Sequence, residues 1–204
     1  MRKAIVAAML ALTSVGAMAG NQIAQHQTPR VINVTTDSAP GWLPSEALEA
    51  EADKMLKSYF RTFDMGNDRG LWELTDEGFK TITTFAAFQA GNIKTRANLG
   101  RLKKLDVLKV TWTKDPAEAP RPGIYVAIDF AGQFTRAKRQ CGYVVLFKAT
   151  ENDPFHLGRI ENTYLTDAVA KQIAKGKSPA EVDRVWSLAA ANCPNYQLPQ
   201  RTKR

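Results

Sequence analysis

The side chains in this sequence whose types suit proton transfer are tyrosines and carboxylates rather than histidines. Of the two histidines, His26 lies in a polar, proline-bearing stretch and His156 beside a turn, and neither is placed to activate a nucleophile. No Cys or His cluster has metal-ligand spacing and no glycine-rich loop follows a predicted strand, so neither a metal nor any other cofactor is expected. Tyr59, Asp64, Tyr125, Asp129, Tyr143, Glu161 and Tyr164 supply groups for acid–base work, but their spacing selects no set. Asp129 falls in the phase opposite Ile124, Val126 and Ile128, which assigns it to solvent, and Glu161 between Ile160 and Asn162 reads the same way. No catalytic residue is assigned. Tyr59, Phe63, Trp72, Tyr125, Tyr143 and Tyr164 are instead the candidates for lining an apolar pocket.

Basic residues form the other candidate site. Arg96, Arg101, Lys103 and Lys104 precede one predicted strand, and Arg136, Lys138 and Arg139 precede another. If the two groups converge they make an anion-binding surface. Two other roles stay open: a solvated face, or pairing of Arg96 and Arg101 with Asp64, Asp68 or Glu73 to hold helices together.

Residues 1–19 bear on which anions are available. Arg2 and Lys3, the apolar run Ala4–Leu12 and the Ala17-Met18-Ala19 site have the order of a secretory signal peptide cleaved after Ala19. The apolar run is too short for a bilayer-spanning helix, which needs roughly 20 apolar residues. A periplasmic or secreted location is the expectation, with no transmembrane segment in the mature chain and no nucleic acid as partner. The net charge of +8, less Arg2 and Lys3, leaves +6 for envelope anions or acidic proteins. In an oxidising compartment the two cysteines, Cys141 and Cys193, read as one disulfide.

The elements that must position these residues are read from periodicity. Residues 20–44, with Pro29, Pro40 and Pro44 among Asn, Gln, Thr and Ser, read as a flexible leader. Leu48, Ala52, Met55, Leu56, Tyr59, Phe60 and Phe63 lie on one face of a helix that stops at Gly66-Asn67-Asp68. Leu71, Trp72 and Leu74 occupy a short turn, and Phe79, Ile82, Phe85 and Ala86 predict a helix ending near Gly91. The period then changes to two in four stretches: Lys104–Lys114 with a slip near Leu108, Ile124–Phe130, Cys141–Phe147 and Phe155–Tyr164. Short connections between them imply an antiparallel meander. Thr166–Lys175 and a segment opened by Ser178-Pro179-Ala180-Glu181 predict two further helices, the second with a capping box. The fold class expected is α+β: N-terminal helices packed on a curved four-stranded antiparallel sheet, with C-terminal helices. Residues 45–165 form the main domain, residues 166–196 a helical extension and residues 197–204 a basic tail.

Several residues carry a family resemblance. Trp72-Glu73-Leu74-Thr75 with Phe79-Lys80, then Arg96-Ala97-Asn98-Leu99-Gly100-Arg101, then Pro122-Gly123-Ile124-Tyr125 opening a strand that ends in Asp129-Phe130, resemble the bacterial domain-of-unknown-function 4019 family. Similarity to that family implies a cone-like fold of the nuclear transport factor 2-like, or cystatin-like, superfamily, with a pocket between sheet and helices. The Cys141-Gly142 pair and the C-terminal extension depart from its pattern. Ketosteroid isomerases of that superfamily use a carboxylate base with a Tyr and a protonated Asp. The function expected is an exported, non-catalytic binding or protein-interaction domain, for a small hydrophobic ligand or an envelope protein, with a homodimer as one form. A small pocket isomerase or hydrolase using Asp/Tyr chemistry, and a component of an envelope secretion assembly, are the alternatives.

Overall fold

The structure is a computed structural model and describes residues 31–175, 177–193 and 195–197. Residues 1–19, read as a signal peptide, the first part of the stretch read as a leader and most of the basic tail lie outside the described residues. Contacts separate residues 1–31 from Ile32–Arg204, and every described helix and strand belongs to the second unit.

Helix α1 (Glu46–Asp64) begins where the Ser45 Oγ accepts from the Leu48 N–H at 3.2 Å, with Glu46 and Glu49 in its positive first turn. The residues it buries are the seven that share a face in the sequence. Gly66, at φ +73°, ends it by adopting a conformation that a Cβ would strain. Three capped helices come next. Helix α2 (Asp68–Glu73) is capped by Asn67, α3 (Glu77–Ile82) by Asp76, and α4 (Phe85–Leu99) by Thr84. The single helix expected from Phe79 to Gly91 is therefore two. Thr83 and Thr84 are extended, and the Thr84 hydroxyl starts α4 by accepting from the Ala87 N–H. Gly91 does not stop α4, because a helical glycine costs only about 1 kcal/mol, and the helix runs on to Gly100.

The sheet has five strands in the order β1-β2-β3-β4-β5: β1 (Asn33–Val34), β2 (Leu102–Lys114), β3 (Ile124–Phe134), β4 (Arg139–Lys148) and β5 (His156–Leu165). Strands β2 to β5 form an antiparallel meander. The register along β2 shifts between Val107 and Lys109, so Leu108 is the extra residue of a bulge at the slip in alternation. The four-stranded antiparallel expectation is overturned by β1, which pairs parallel with β2 through Asn33 opposite Thr111 and Val34 opposite Trp112. Two residues carry no periodicity, and β1 lies inside the stretch that reads as a leader. The polar residues behind that reading are what tie it down. The Thr35 N–H donates to the Trp112 carbonyl at 2.9 Å, the Asn33 Nδ2 to the Val110 carbonyl at 3.0 Å, and the Lys114 N–H to the Ser38 Oγ at 2.9 Å.

The two faces of the sheet carry separate cores. Val126, Ile128 and Phe130 of β3 and Val144 and Leu146 of β4 pack with the buried face of α1. Alternation turns Cys141 and Tyr143 to the opposite face. There Cys141, Leu165, Val182, Trp186, Ala190 and Cys193 form a second cluster. It is supplied by α5 (Asp167–Ala174), α6 (Pro179–Ala189) and a 3-10 turn at Ala190–Asn192. Cys141 and Cys193 are disulfide-bonded, which fastens the end of this extension to β4. Helix α6 starts at Ser178 as expected, but no side-chain capping bond forms there. The Glu181 carboxylate pairs instead with Arg184, whose hydrogen bonds hold its pKa down at about 2.

Candidate functional site

Helices α1, α3 and α4 leave a cavity of about 360 Å³ against the sheet. One wall is Tyr59, Phe60 and Phe63 of α1, a consequence of the same i, i+4 spacing that buries this helix face. The break at Thr83–Thr84 turns α3 away from α4, and Phe79 and Ile82 on one side face Phe88, Asn92 and Thr95 on the other. Phe134 of β3, Gln140 of β4, and Ile160 and Asn162 of β5 form the floor. Ile82, 80% exposed, and Gly91, also exposed, stand at the mouth. A Cβ built on Gly91 would meet nothing within 4 Å.

The lining contains no Asp, Glu, Lys, Arg or His. Burial pushes the Tyr59 hydroxyl far above the usual range, with Arg96 opposing and Asp68 reinforcing the shift, so it stays protonated. Asp68 and Arg96 stand behind this wall as a bidentate pair at 2.6 and 2.7 Å, with the Arg96 guanidinium 5.4 Å from the Phe63 ring centre. Both Asp68 oxygens are held by Arg96, so this carboxylate is not a free base beside Tyr59.

Two polar atoms of the lining are buried without a hydrogen-bond partner, Asn92 Nδ2 and Gln140 Oε1. Gln140 is 2% exposed and pairs across the ladder with Gly132 and Tyr164. Gly132 makes room for its amide, since a Cβ at that position would overlap Gln140 Oε1. Leaving a buried polar atom unpaired costs about 1–3 kcal/mol.

Of the six aromatic residues proposed for the pocket, Tyr59 and Phe63 line it. Trp72 backs it, 5.4 Å from Phe88 and 6.4 Å from Phe79 between ring centres. Tyr164 accepts a hydrogen bond from Asn98 Nδ2 at 2.9 Å, joining β5 to α4. Tyr125 and Tyr143 belong to the opposite face of the sheet, in the phase of Asp129. Burial raises the Tyr125 hydroxyl pKa, and its ring lies 4.8 Å from that of Phe147. Asp129 on the same face accepts from Asn195, and Glu161 is paired with Arg159. Asn92, Gln140 and the Gly91 opening are absent from the sequence expectations. The inward phase of Gln140 with Val144 and Leu146 is the signal that points to it.

The meander does bring the two basic stretches together: the Arg136 N–H donates to the Leu99 carbonyl, and the Arg101 N–H to Thr135 Oγ1. Most of their charges have local partners. Arg96 holds Asp68, Arg101 holds Asp64, Lys104 holds Asp106 and Arg139 holds Asp183. Arg136 donates to the Ala97 carbonyl, while Lys103 and Lys138 are exposed. Arg96 and Arg101 thus take the helix-holding role that competed with anion binding.

Among the described residues no group of three or more His, Cys, Asp and Glu side chains is placed to hold a metal ion, and no helix is long and apolar enough to cross a membrane. No curated protein and no solved structure matches the chain. Residues 56–156, from Leu56 in α1 to the start of β5 and so including most of the cavity wall, match the model of the family described as Protein of unknown function (DUF4019), which places that segment with a family of unknown function.

Proposed function

We propose that this protein is an exported, non-catalytic binding domain that holds a small, mainly apolar molecule between α1, α3, α4 and the sheet. The observation that carries this reading is the cavity itself: about 360 Å³, within the general range of small-molecule sites. Its walls combine aromatic and aliphatic side chains with the uncharged polar Thr83, Asn92, Thr95, Gln140 and Asn162, and an exposed isoleucine stands at its mouth. The Cys141–Cys193 bond supports export, because such bonds persist in oxidising compartments, and residues 1–19 read as the export signal. The packing of α1, α2 and α4 on one sheet face supports kinship with the nuclear transport factor 2-like superfamily. Binding is preferred over Asp/Tyr catalysis because the lining offers no carboxylate and Asp68 is engaged by Arg96. It is preferred over an assembly role read from basic charge because most of those arginines are paired.

The test is titration with the neutral fluorescent probe N-phenyl-1-naphthylamine, comparing wild type with Gly91→Leu. The new side chain enters open space at the cavity and replaces a helical glycine, which favours the helix by about 0.7–1 kcal/mol. Expected is saturable probe binding to wild type, and its loss in a variant that melts at the same or a higher temperature. Equal probe binding by the folded variant would place the probe elsewhere and remove this reading.

A further inference from the structure

We infer that the ligand is uncharged and carries an amide-type group, a carboxamide or lactam, whose N–H donates to Gln140 Oε1 and whose carbonyl accepts from Asn92 Nδ2. This rests on the binding reading and deepens it. Those two atoms are buried without a hydrogen-bond partner, belong to residues that line one cavity and have opposite hydrogen-bonding character. They do not bond to each other, so each retains the capacity to meet a ligand atom. Gln140 is anchored in a central strand and 98% buried, with Gly132 opposite leaving space for its amide. It cannot turn out to water to satisfy itself.

Charge argues for the same class. A carboxylate or ammonium entering this cavity would lose its hydration and find no counter-ion in the lining. Arg96, behind the wall, is neutralised by both oxygens of Asp68. Neutral polar residues, Thr83, Thr95 and Asn162, share the lining with aromatic and aliphatic side chains. A neutral group with one donor and one acceptor, attached to an apolar body, matches that inventory.

The experiment is displacement of bound N-phenyl-1-naphthylamine by matched compounds, 4-phenylbutyramide against 4-phenylbutyrate, on wild type, Gln140→Met and Asn92→Leu. The amide is expected to displace the probe at concentrations at least tenfold lower than the carboxylate. Each substitution is expected to reduce the amide's advantage over the carboxylate, read as the ratio of their displacing concentrations on the same variant, about fivefold or more. Two variants on different elements guard against one failing to fold. Probe binding with equal displacement by amide and carboxylate overturns the ligand class and leaves the pocket reading standing. Absence of probe binding to wild type overturns both.

Discussion

Replacing Arg96 by Met tests whether this arginine holds the fold or waits for an anion. Asp68 side-chain exposure is 4% and that of Arg96 is 18%, and the pair closes two hydrogen bonds of 2.6 and 2.7 Å. Methionine keeps the aliphatic length of the side chain but strands the Asp68 carboxylate in the interior. Removing one partner of a buried pair costs about 3–5 kcal/mol. At about 2–4 °C per kcal/mol for a chain of this size, the melting temperature should fall by roughly 6–20 °C. Arg101 provides the control, since its guanidinium is 76% exposed on Asp64. Arg101→Met should cost no more than about 1 kcal/mol, or about 4 °C. The double variant Asp68→Leu/Arg96→Met should recover part of the loss because no charge then remains buried. Thermal and urea unfolding of the four proteins measure all of this. An Arg96→Met variant within about 1 kcal/mol of wild type would refute the helix-holding role of Arg96, and equal losses at Arg96 and Arg101 would refute the argument that burial makes the Arg96 pair the stronger of the two.

Lys148 reverses the asymmetry: its side chain is 1% exposed while its partner Glu51 is 39% exposed. Lys148→Met should be neutral or stabilising in urea unfolding, because Glu51 can turn to water, whereas Glu51→Ala strands the ammonium and should cost about 3 kcal/mol. Reducing the Cys141–Cys193 bond opens a constraint across 52 residues, worth up to roughly 4 kcal/mol in the chain-entropy model. It should lower the melting temperature and make Trp186, 0% exposed in the second core, accessible to a fluorescence quencher; an unchanged Trp186 would show that packing alone holds α6. At Asp76 burial opposes ionisation, but hydrogen bonds from Arg121 and the Gly78 N–H outweigh it, keeping the carboxyl below its usual 3.8. A folded pKa below the unfolded one stabilises above the unfolded value and loses that contribution as pH falls through the folded value. Asp76→Asn should therefore cost about 1 kcal/mol at neutral pH, discounted for the 46% exposure of Arg121, and flatten the decline of urea midpoints below about pH 4.

How far the molecule is legible depends on the range of each signal. The α1 face, the bulge at Leu108 and the four meander strands are visible because their periodicity is carried by adjacent residues. Thr84, a good cap, marks the split of the second helical passage, yet the apolar spacing of Phe79, Ile82 and Phe85 spans the break as one face. Strand β1 is hidden because two residues have no period and its hydrogen bonds reach across more than 70 residues to β2. Of the candidate site, Tyr59 and Phe63 are legible as aromatic residues on α1; Gln140 is missed because it lies where a basic connection passes into β4.

By itself the sequence determined the α+β class, the amphipathic first helix and a lone cysteine pair, since caps, alternation and composition act over a few residues. Only the tertiary structure decided which aromatic residues share a cavity, which sheet face each strand residue joins, and that Arg96 belongs to Asp68 across 28 residues of chain. Burial and pairing are properties of side chains brought together from distant positions. They turn a basic stretch into helix-holding ion pairs and leave two unpaired amide atoms facing an apolar cavity.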